Sequence, residues 1–543
     1  MKCPLYIAFI WHHHQPYYKD PNKNVFTVPW VRFHSAKDYY DLVQILDDFP
    51  NIHQTFNIVP SLMKQINEYT QDNVKDVCQI ISEKNTKDLD YEDKKFIIEN
   101  FFAANSKTMI EPYPRYNELF QSLHHHKNIQ TKIKAFTEKD FRDLVTWYNL
   151  TWIYPYFIEQ DEKLKGLKDR GHTFTEQEKN YVLNKHMDIM KMVLPKYKQM
   201  QDKGRIEVST TPFYHPIMPL LVDNYIAKVS QPDIKLPLEH FKNRHDVYMH
   251  LQKAKKYYEK VFKQHAKGFW PSEGAVSEDV LHIMMQENIS WVASDQDILF
   301  KSFDTDISSE SLYMPYKYKY AAKELSIVFR DKVLSDLIGF TYQNYKTKDA
   351  VNDFIGRLDA IRDKLKDSDE PHLVTIVLDG ENCWEYYPND GRDFLYGLYT
   401  ELSNRDDLKT VTVSEYLNQF EITKTLNKIW PGSWINNNFH IWIGQDEDNR
   451  AWDFIYEARM ALAEFEKKHK DDKYAEKIKK AWEEIYIAEG SDWWWWYGDD
   501  HFSLNDELFD ELFRSHLIRV YQLIGLDVPE KFYKPIKKEK INE

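Results

Sequence analysis

The stretch HLVTIVLDGENCWEYY (372–387) decides the fold of this chain, because it runs a β-like segment directly into a pair of acids. Every residue from Leu373 to Leu378 is apolar or β-branched, and Asp379 and Glu381 follow at once. Such a run, bounded by polar and turn-forming residues, is typical of a β-strand. The pattern predicts a strand with a carboxylate at its carboxyl end.

Similar short β-branched or aromatic runs recur along the chain, and helical patterns separate most of them. The runs are LYIAFIW (5–11), IHQTFNIV (52–59), RIEVSTT (205–211), KGFW (267–270), ISWVAS (289–294), LSIVFR (325–330), HLVTIVLD (372–379) and KTVTVS (409–414). Strands that alternate with helices imply βαβ units and a parallel sheet. Seven or eight such units predict an α/β barrel, complete or incomplete.

Polar or ionisable residues follow nearly every one of these runs. They are His12, His13, His14, Gln15, Asn57, His215, Glu273, Asp295, Arg330, Asp331, Asp379 and Glu381. Parallel barrels collect their chemistry at the carboxyl ends of the strands. We therefore expect these separate residues to converge at one end of the barrel.

Two long regions carry no convincing strand pattern. Residues 61–200 are helical, charged and Tyr-rich, so they are predicted to form a helical insertion that leans over the mouth of the barrel. After residue 426, apolar residues recur at spacings of three and four, which predicts a helical bundle. We expect a catalytic barrel in 1–425 and a C-terminal α-helical domain in 426–543, packed on the barrel and ending in a frayed basic tail.

Composition restricts the partners of the protein. The formal net charge is −14 over 543 residues, without a long block of either sign, which disfavours nucleic acid and anionic membranes. No apolar run approaches the ~18 residues of a membrane span. Aromatic residues make up 15% of the chain, including 36 Tyr and 16 Trp, and such rings suit a surface that stacks on sugars.

The N-terminus and the cysteines bear on location. The opening stretch MKCPLYIAFIWHHHQP has no small-residue cleavage site, so a first strand is expected there and not a signal peptide. Cys3, Cys78 and Cys383 are scattered and show no CxxC spacing, which is typical of a reducing compartment. A cytoplasmic protein is predicted; the sequence does not indicate its oligomeric state.

Two acids that end strands, Glu273 in GFWPSEG (268–274) and Asp379, are the candidate catalytic pair. Retaining glycosidases use one ionised carboxylate to attack the anomeric carbon. They use one protonated carboxyl, about 5 to 5.5 Å away, to protonate the leaving oxygen. The pair therefore predicts a sugar-cleaving site.

Five stretches in order carry a family resemblance. They are HHHQP (12–16), STTPFYHPIMPLL (209–221), WPSEG (270–274), LDGENCWEYY (378–387) and NNNFHIWIGQDEDNRAW (436–452). Together they resemble the motifs of glycoside hydrolase family 57. The resemblance implies an incomplete (β/α)7 barrel followed by a helical region, a retaining mechanism on α-glucans, and no metal or other cofactor. It also implies that Glu273 is the nucleophile and Asp379 the general acid/base.

The two acids need different protonation states. Asp379 must keep its proton near neutral pH, which requires burial or a nearby negative charge such as that of Glu381 or Glu273. Glu273 must stay ionised. We expect Arg330, at the end of its own strand, to be the guanidinium partner that keeps it so.

The histidines after the first strand raise a metal alternative. Residues 12 and 14 of an extended segment point to the same side, so His12 and His14 are able to share a ligand. No third ligand with suitable spacing is evident in the sequence, and contact with sugar hydroxyls is the favoured interpretation. For His215, a substrate contact and a structural role are equally weighted.

Aromatic and acidic residues in the motifs have two interpretations. Trp270, Trp384, Trp434 and Trp442 either stack on glucose rings or fill the core, and we expect about half of them to contact substrate. In the run 493–496, some indoles must be core while others are free to reach the cleft. Asp446 and Asp448 either bind sugar hydroxyls or cap a helix that begins near Asn449, with the cap slightly favoured.

The sequence therefore predicts a retaining hydrolase of α-1,4-glucans, similar to α-amylases, whose partner is an α-glucan or maltooligosaccharide. A 4-α-glucanotransferase is the first alternative, since it shares the covalent intermediate and differs only in what resolves it. A non-catalytic α-glucan-binding protein and a metal-dependent deacetylase or mannosidase are alternatives of other classes.

Overall fold

A computed structural model describes residues 4–501 and 505–537. Ten strands occur in these residues. They are β1 (Leu5–His13), β2 (Gln54–Ile58), β3 (Ile206–Ser209), β4 (Gly268–Phe269), β5 (Trp291–Asp295), β6 (Tyr316–Tyr320), β7 (Lys323–Arg330), β8 (His372–Asp379), β9 (Leu408–Thr410) and β10 (Lys424–Leu426).

Seven parallel strands form a nearly closed barrel in the order β1-β2-β3-β4-β5-β7-β8, with β8 returning to β1. The contact between β3 and β4 is a single bridge between Thr210 and Phe269. The register places His12 of β1 opposite Asn57 on one side and Asp379 on the other. The predicted (β/α)7 barrel is confirmed, and its strands bring their carboxyl ends together.

The remaining strands lie outside the barrel. The run at 409–414 supplies only the short β9 beside the start of β1, because Thr412 already caps the helix that follows, with Glu415 completing a capping box. Strands β6 and β10 were not predicted. β6 reads YKYKY and forms an antiparallel hairpin with β7, which extends the sheet away from the barrel.

Helices make up much of the rest of the described chain, with loops and short 3-10 and π turns between them. They are α1 (Trp30–His34), α2 (Tyr40–Gln44), α3 (Pro60–Thr70), α4 (Val77–Glu83), α5 (Tyr91–Asn100), α6 (Pro114–Ser122), α7 (Ile129–Ala135), α8 (Glu138–Leu150), α9 (Pro155–Gln160), α10 (Glu162–Arg170), α11 (Glu176–Asp202), α12 (Met218–Val222), α13 (Ala227–Ser230), α14 (Arg244–Phe262), α15 (Glu278–Gln286), α16 (Gln296–Lys301), α17 (Lys332–Asp336), α18 (Thr347–Lys364), α19 (Arg392–Ser403), α20 (Val413–Gln419), α21 (Asp446–Lys468), α22 (Asp472–Ala488), α23 (Asp492–Trp495) and α24 (Asp506–Ile524).

Helices α3 to α11 lie between β2 and β3, where the sequence predicts a helical insertion. Local sequence explains several of their starts: Thr137 and Thr175 each begin a helix with a capping box, completed by Asp140 and Glu178 respectively. The insertion has its own hydrophobic core around the buried Trp147. It is thus a packed unit and not a loop.

Helices α21, α22 and α24 pack against one another after the barrel strands. Their apolar residues belong to the same hydrophobic core as the barrel. The guanidinium of Arg459 on α21 makes two hydrogen bonds, of 2.5 and 2.9 Å, to the buried Asp246 on α14. We propose a domain boundary near residue 425, with the two parts held together by this shared core.

Two sequence expectations extend beyond the described residues. Cys78 and Cys383 are buried free thiols, whereas Cys3 lies outside the described residues, so the cytoplasmic location inferred from the cysteines stays a prediction. The end of the basic tail, 538–543, also lies outside them. Among the helices of residues 4–501 and 505–537, none has the length and apolarity needed to cross a membrane.

Candidate active site

The two candidate catalytic acids come from opposite sides of the barrel. Asp379 is the last residue of β8. Glu273 lies in the 3-10 turn after β4 and has a φ of 57°, a left-handed conformation that is rare for a residue with a side chain. The backbone N–H of Trp434 donates a 2.9 Å hydrogen bond to the carbonyl of Glu273. This contact holds the strained turn from outside.

Both acids line one cavity of about 650 Å3 at the carboxyl ends of the strands. The loops after β1 and β8 supply part of its lining, and the helical insertion supplies Trp152 and residues 103–105, as expected of a segment over the barrel mouth. The C-terminal helical region adds the side chains of Asp492, Trp495 and Trp496. The cavity is therefore completed by segments from the whole length of the chain.

The side chain of Glu273 is 14% exposed and lies beside Trp434 and His215. The indole Nε1 of Trp434 donates a 2.7 Å hydrogen bond to its Oε2, and Nδ1 of His215 lies 3.8 Å from its Oε1. Burial, followed by the charge of Asp379, raises the pKa of Glu273 to about 8. The hydrogen bond from Trp434 opposes this shift. An indole N–H only donates, so it favours the ionised carboxylate, which only accepts, over the protonated carboxyl.

Asp379 has an acidic neighbour of its own. Burial, followed by the charge of Glu381, raises the pKa of Asp379 to about 7, while a 2.9 Å hydrogen bond from Asn382 opposes the shift. Glu381 accepts hydrogen bonds from the Tyr39 hydroxyl at 2.9 Å and the His14 backbone at 3.0 Å. Burial alone would raise the pKa of Glu381, but His13 and nearby histidines lower it overall.

The order of these two pKa values is the reverse of the one that the predicted roles require. The charge of Asp379 is the second cause of the raised pKa of Glu273, after burial, so the value of about 8 depends on Asp379 being ionised. The hydrogen bond from Trp434 favours the ionised form of Glu273, and the charge of Glu381 favours protonated Asp379. Each of these two contacts thus favours the protonation state that the predicted role requires.

The structure corrects the predicted pairing of Arg330 with Glu273. The guanidinium of Arg330 binds Asp295 at 3.1 Å and also Asp336, and its Nε donates to the carbonyl of Val377 at 2.7 Å. Arg330 stacks on the ring of Trp434, 5.2 Å from its centroid. Because two other acids already occupy its donors, Arg330 supports the ring that contacts Glu273 and does not pair with Glu273 itself.

Three of the four tryptophans considered for sugar stacking are core residues. Trp270 packs behind His12 and Trp434, and Trp384 packs against Trp11. Trp270, Trp384 and Trp442 are all at most 2% exposed, so none presents a face to a ligand. Only Trp434 of the four lines the cavity.

In the tryptophan run, Trp493 and Trp494 are buried in the core, whereas Trp495 and Trp496 line the cavity.

The histidines form a stack beside the acids. His12 bonds Asn57 at 2.7 Å, and burial, followed by the charge of His14, lowers its pKa to about 3. Nε2 of His14 lies 2.6 Å from Oδ1 of Asp492. Burial alone would lower the pKa of His14, but the charge and hydrogen bond of Asp492 raise it overall. His215 is buried against Ser491 at 2.8 Å and lies behind the cavity, in contact with Glu273.

The structure brings His14, His215 and Asp492 together, so the ligands missing from the sequence pattern are present: one ligand atom from each lies within 4.8 Å of the others. However, the rings of His14 and His215 stack face to face with centroids 4.0 Å apart. Imidazole binds a metal through a lone pair in the ring plane, and nearly parallel stacked planes do not aim two lone pairs at one ion. The cluster fits a histidine–carboxylate ion pair better than a metal centre.

Asp446 lies away from the catalytic pair. It is the first residue of α21 and lines a separate polar cavity of about 800 Å3, together with Glu447 and His440. Asp448 accepts a hydrogen bond from the backbone of Gln445 at 3.2 Å and completes a capping box. The favoured cap interpretation therefore fits Asp448, although the helix begins at Asp446 and not near Asn449.

Sequence reasoning missed two residues of the site. Asp492 lies in the stretch AEGSDWWWWYGDDH (488–501), whose cluster of acids and rings was the available signal. Tyr39, which binds Glu381, carried no signal because it is one of many tyrosines in a helical segment.

The chain is similar to known proteins over most of its length. The model of "Glycosyl hydrolase family 57" matches residues 8–427. A branching enzyme from Thermococcus kodakaraensis has a TM-score of 0.62 and 15% identity, covering 96% of this chain and 90% of its own. An α-amylase from Thermotoga maritima has a TM-score of 0.60 and 15% identity, covering 96% and 93%. A 4-α-glucanotransferase from Thermococcus litoralis has a TM-score of 0.54 and 14% identity, covering 96% and 60%.

No curated protein sequence matches the chain. At these identities the similarity to solved structures establishes the fold alone.

Proposed function

This chain belongs to glycosyl hydrolase family 57, and from that premise we propose that it is a retaining hydrolase of α-1,4-glucans, similar to α-amylases. The family supports a glycoside hydrolase or transferase acting on α-glucans. The observation that carries the finer proposal is the carboxyl pair of Glu273 and Asp379, which lines one cavity with raised pKa values of about 8 and about 7.

The proposed first step transfers a glycosyl group to the enzyme. A carboxylate oxygen of Glu273 forms a bond to the anomeric carbon as the bond to the glycosidic oxygen breaks. Asp379 gives its proton to that oxygen, so the leaving glucan departs with a hydroxyl group. Asp379 is then ionised and Glu273 is esterified.

The proposed second step releases the sugar. Asp379, now a carboxylate, removes a proton from water, and the water oxygen attacks the anomeric carbon while the ester bond to Glu273 breaks. Two inversions leave the α configuration unchanged. His12, His14 and Trp434 line the cavity and are proposed to contact substrate, and Glu381 is proposed to keep the proton on Asp379.

A 4-α-glucanotransferase is the second candidate, because Asp379 borders a further cavity, beyond the one that contains Glu273, in which an acceptor sugar could bind. A further cavity of about 620 Å3 adjoins Asp379 and Trp434. If a sugar hydroxyl replaces water in the second step, the same residues perform transfer.

Incubation with maltotriose tests the proposal. A hydrolase yields only glucose and maltose, and a transferase also yields longer oligomers, as read by chromatography. Glu273→Gln is the control: it should still bind maltooligosaccharide in calorimetry without turning it over. Absence of any cleavage by the wild-type protein would reject the proposal and leave the non-catalytic glucan-binding alternative.

A further inference from the structure

A second cavity of about 620 Å3 adjoins the first at Asp379. It shares six lining residues with the first cavity, so the two are continuous: Asp379, Asn382, Glu385, Tyr386, Trp434 and Trp495. Asp379 lines both cavities, whereas Glu273 lines only the first. The two catalytic acids thus mark a direction along the cleft.

Chemistry assigns that direction. The nucleophile must face the sugar whose anomeric carbon it attacks, and the acid must face the oxygen between that sugar and the next one. The cavity that contains both acids therefore receives the donor side of the glucan. The cavity that contains Asp379 without Glu273 lies where the leaving side must pass.

The second cavity carries an exposed aromatic ring. Phe340 is 71% exposed and lines the second cavity but not the first. It lies in the π-helical turn Leu337–Thr341, whose backbone is anchored because Ile338 is fully buried and its carbonyl accepts a 2.6 Å hydrogen bond from the Tyr387 hydroxyl. The exposure of Phe340 is thus a property of a fixed turn.

A free polar acceptor lies beside this ring. Nε2 of Gln343 donates to the carbonyl of Phe340 at 2.9 Å, which orients the amide, and Oε1 of Gln343 is buried without a hydrogen-bond partner. Gln343 lines the same cavity. An apolar ring face next to an unused acceptor matches a pyranose, whose apolar face stacks on rings while its hydroxyls donate hydrogen bonds.

We propose that the second cavity is the acceptor-side binding site for an α-glucan, with Phe340 as its stacking platform and Gln343 as an acceptor for a sugar hydroxyl. This inference rests on the proposed function. During cleavage the site holds the glucan that receives the proton of Asp379. In transfer it holds the sugar whose hydroxyl oxygen attacks the anomeric carbon, gives its proton to Asp379 and displaces Glu273 as a carboxylate.

The test follows the cleavage position in maltoheptaose that carries a fluorophore at its reducing end. The labelled fragment reports how many sugars occupied the acceptor side. Loss of an acceptor-side contact should shorten the labelled fragments, because fewer sugars are then held beyond the cleaved bond. Loss of a donor-side contact would lengthen them.

For Phe340→Ala we expect kcat/KM to fall roughly two- to tenfold, as for loss of one aromatic stacking contact, and the labelled fragments to become shorter. Phe340→Tyr should restore the wild-type pattern, and Gln343→Ala should shorten the fragments as well. Tyr533→Ala is the matched control, since Tyr533 is 58% exposed but lines neither cavity.

An unchanged cleavage pattern in Phe340→Ala, or longer labelled fragments, would overturn the inference while leaving the proposed function intact. A wild-type protein that cleaves no maltoheptaose would instead reject the proposed function, and the inference with it. Products are read at early times, before labelled fragments are reused as acceptors and lengthened, so the cleavage pattern has the same meaning for a hydrolase and for a transferase.

Discussion

The imidazole Nε2 of His14 lies 2.6 Å from Oδ1 of Asp492, which joins the segment after the first strand to a residue 478 positions later. His14 follows β1 directly, and Asp492 begins α23 in the C-terminal helical region. Both residues line the cavity that contains Glu273 and Asp379. The ion pair therefore ties the completion of that cavity to the docking of the C-terminal helices.

Asp492→Asn should destabilise the protein in a pH-dependent way. Asp492 raises the folded-state pKa of His14 above its ordinary value of 6.5, so the stabilisation is fully present below that value and is lost as the pH rises through the folded-state pKa. We expect the free energy of unfolding to fall by about 1–3 kcal/mol near pH 6, and by less near pH 9. Urea unfolding at both pH values measures this. Asp527→Asn, at an exposed site, is the control, and an equal loss at both pH values would contradict the role of His14.

An α-maltosyl fluoride substrate should distinguish Asp379→Asn from Glu273→Gln by whether each variant forms the glycosyl-enzyme. Fluoride leaves without a proton, so Asp379→Asn should still form the glycosyl-enzyme, whereas Glu273→Gln should not. On maltooligosaccharides both variants should lose about 10²- to 10⁴-fold in kcat. Mass spectrometry of the protein detects the adduct. An adduct in Glu273→Gln, or its absence in Asp379→Asn, would reverse or reject the assigned roles.

Trp434→Phe should lower kcat/KM about ten- to hundredfold, because it removes the hydrogen bond to the Glu273 carboxylate and keeps an aromatic ring. Since that bond lowers the pKa of Glu273, its loss should also move the acidic limb of the pH profile to higher pH. Trp430→Phe is the matched control: its indole Nε1 donates to the carbonyl of Asn437 at 3.0 Å, and Trp430 does not line the catalytic cavity. Equal losses in the two variants would indicate a general packing effect.

The pH profile of kcat/KM should be bell-shaped. Activity requires Glu273 ionised and Asp379 protonated, so it should fall at low pH as Glu273 gains a proton and at high pH as Asp379 loses one, with both limbs shifted upward because both pKa values are raised. Glu381→Gln should move the alkaline limb to lower pH, because the charge of Glu381 raises the pKa of Asp379. An alkaline limb that stays in place would show that Glu381 does not hold the proton.

Chelation should leave the activity unchanged. The stacked rings of His14 and His215 do not aim their lone pairs at one ion, and the proposed steps use only carboxyl groups. Dialysis against EDTA followed by an assay on maltooligosaccharide is the measurement. Loss of activity that Zn²⁺ restores would revive the metal-dependent alternative at His14, His215 and Asp492.

Local sequence predicted the strands that have long, continuous apolar runs. It did not predict contacts between residues that are far apart in the chain. β1 and β8 were predictable because their apolar runs are long, and Asp379 was predictable because it ends one of them. The partner of Arg330 was not, because Asp295 and Asp336 compete for a guanidinium that also had a plausible partner in Glu273. The burial of Trp270 could not be predicted either, because the sequence does not show whether a tryptophan next to a motif faces the core or the cleft.

The sequence by itself determined the barrel strands and the two acids, one in the turn after β4 and one at the end of β8, because hydrophobic periodicity and strand ends are local properties of the chain. Only the tertiary structure decided which groups surround those acids. Trp434 reaches Glu273 and Asp492 reaches His14 across 161 and 478 positions respectively. Contacts of this kind depend on how distant segments pack, and that packing sets the environment in which the two carboxyl groups titrate.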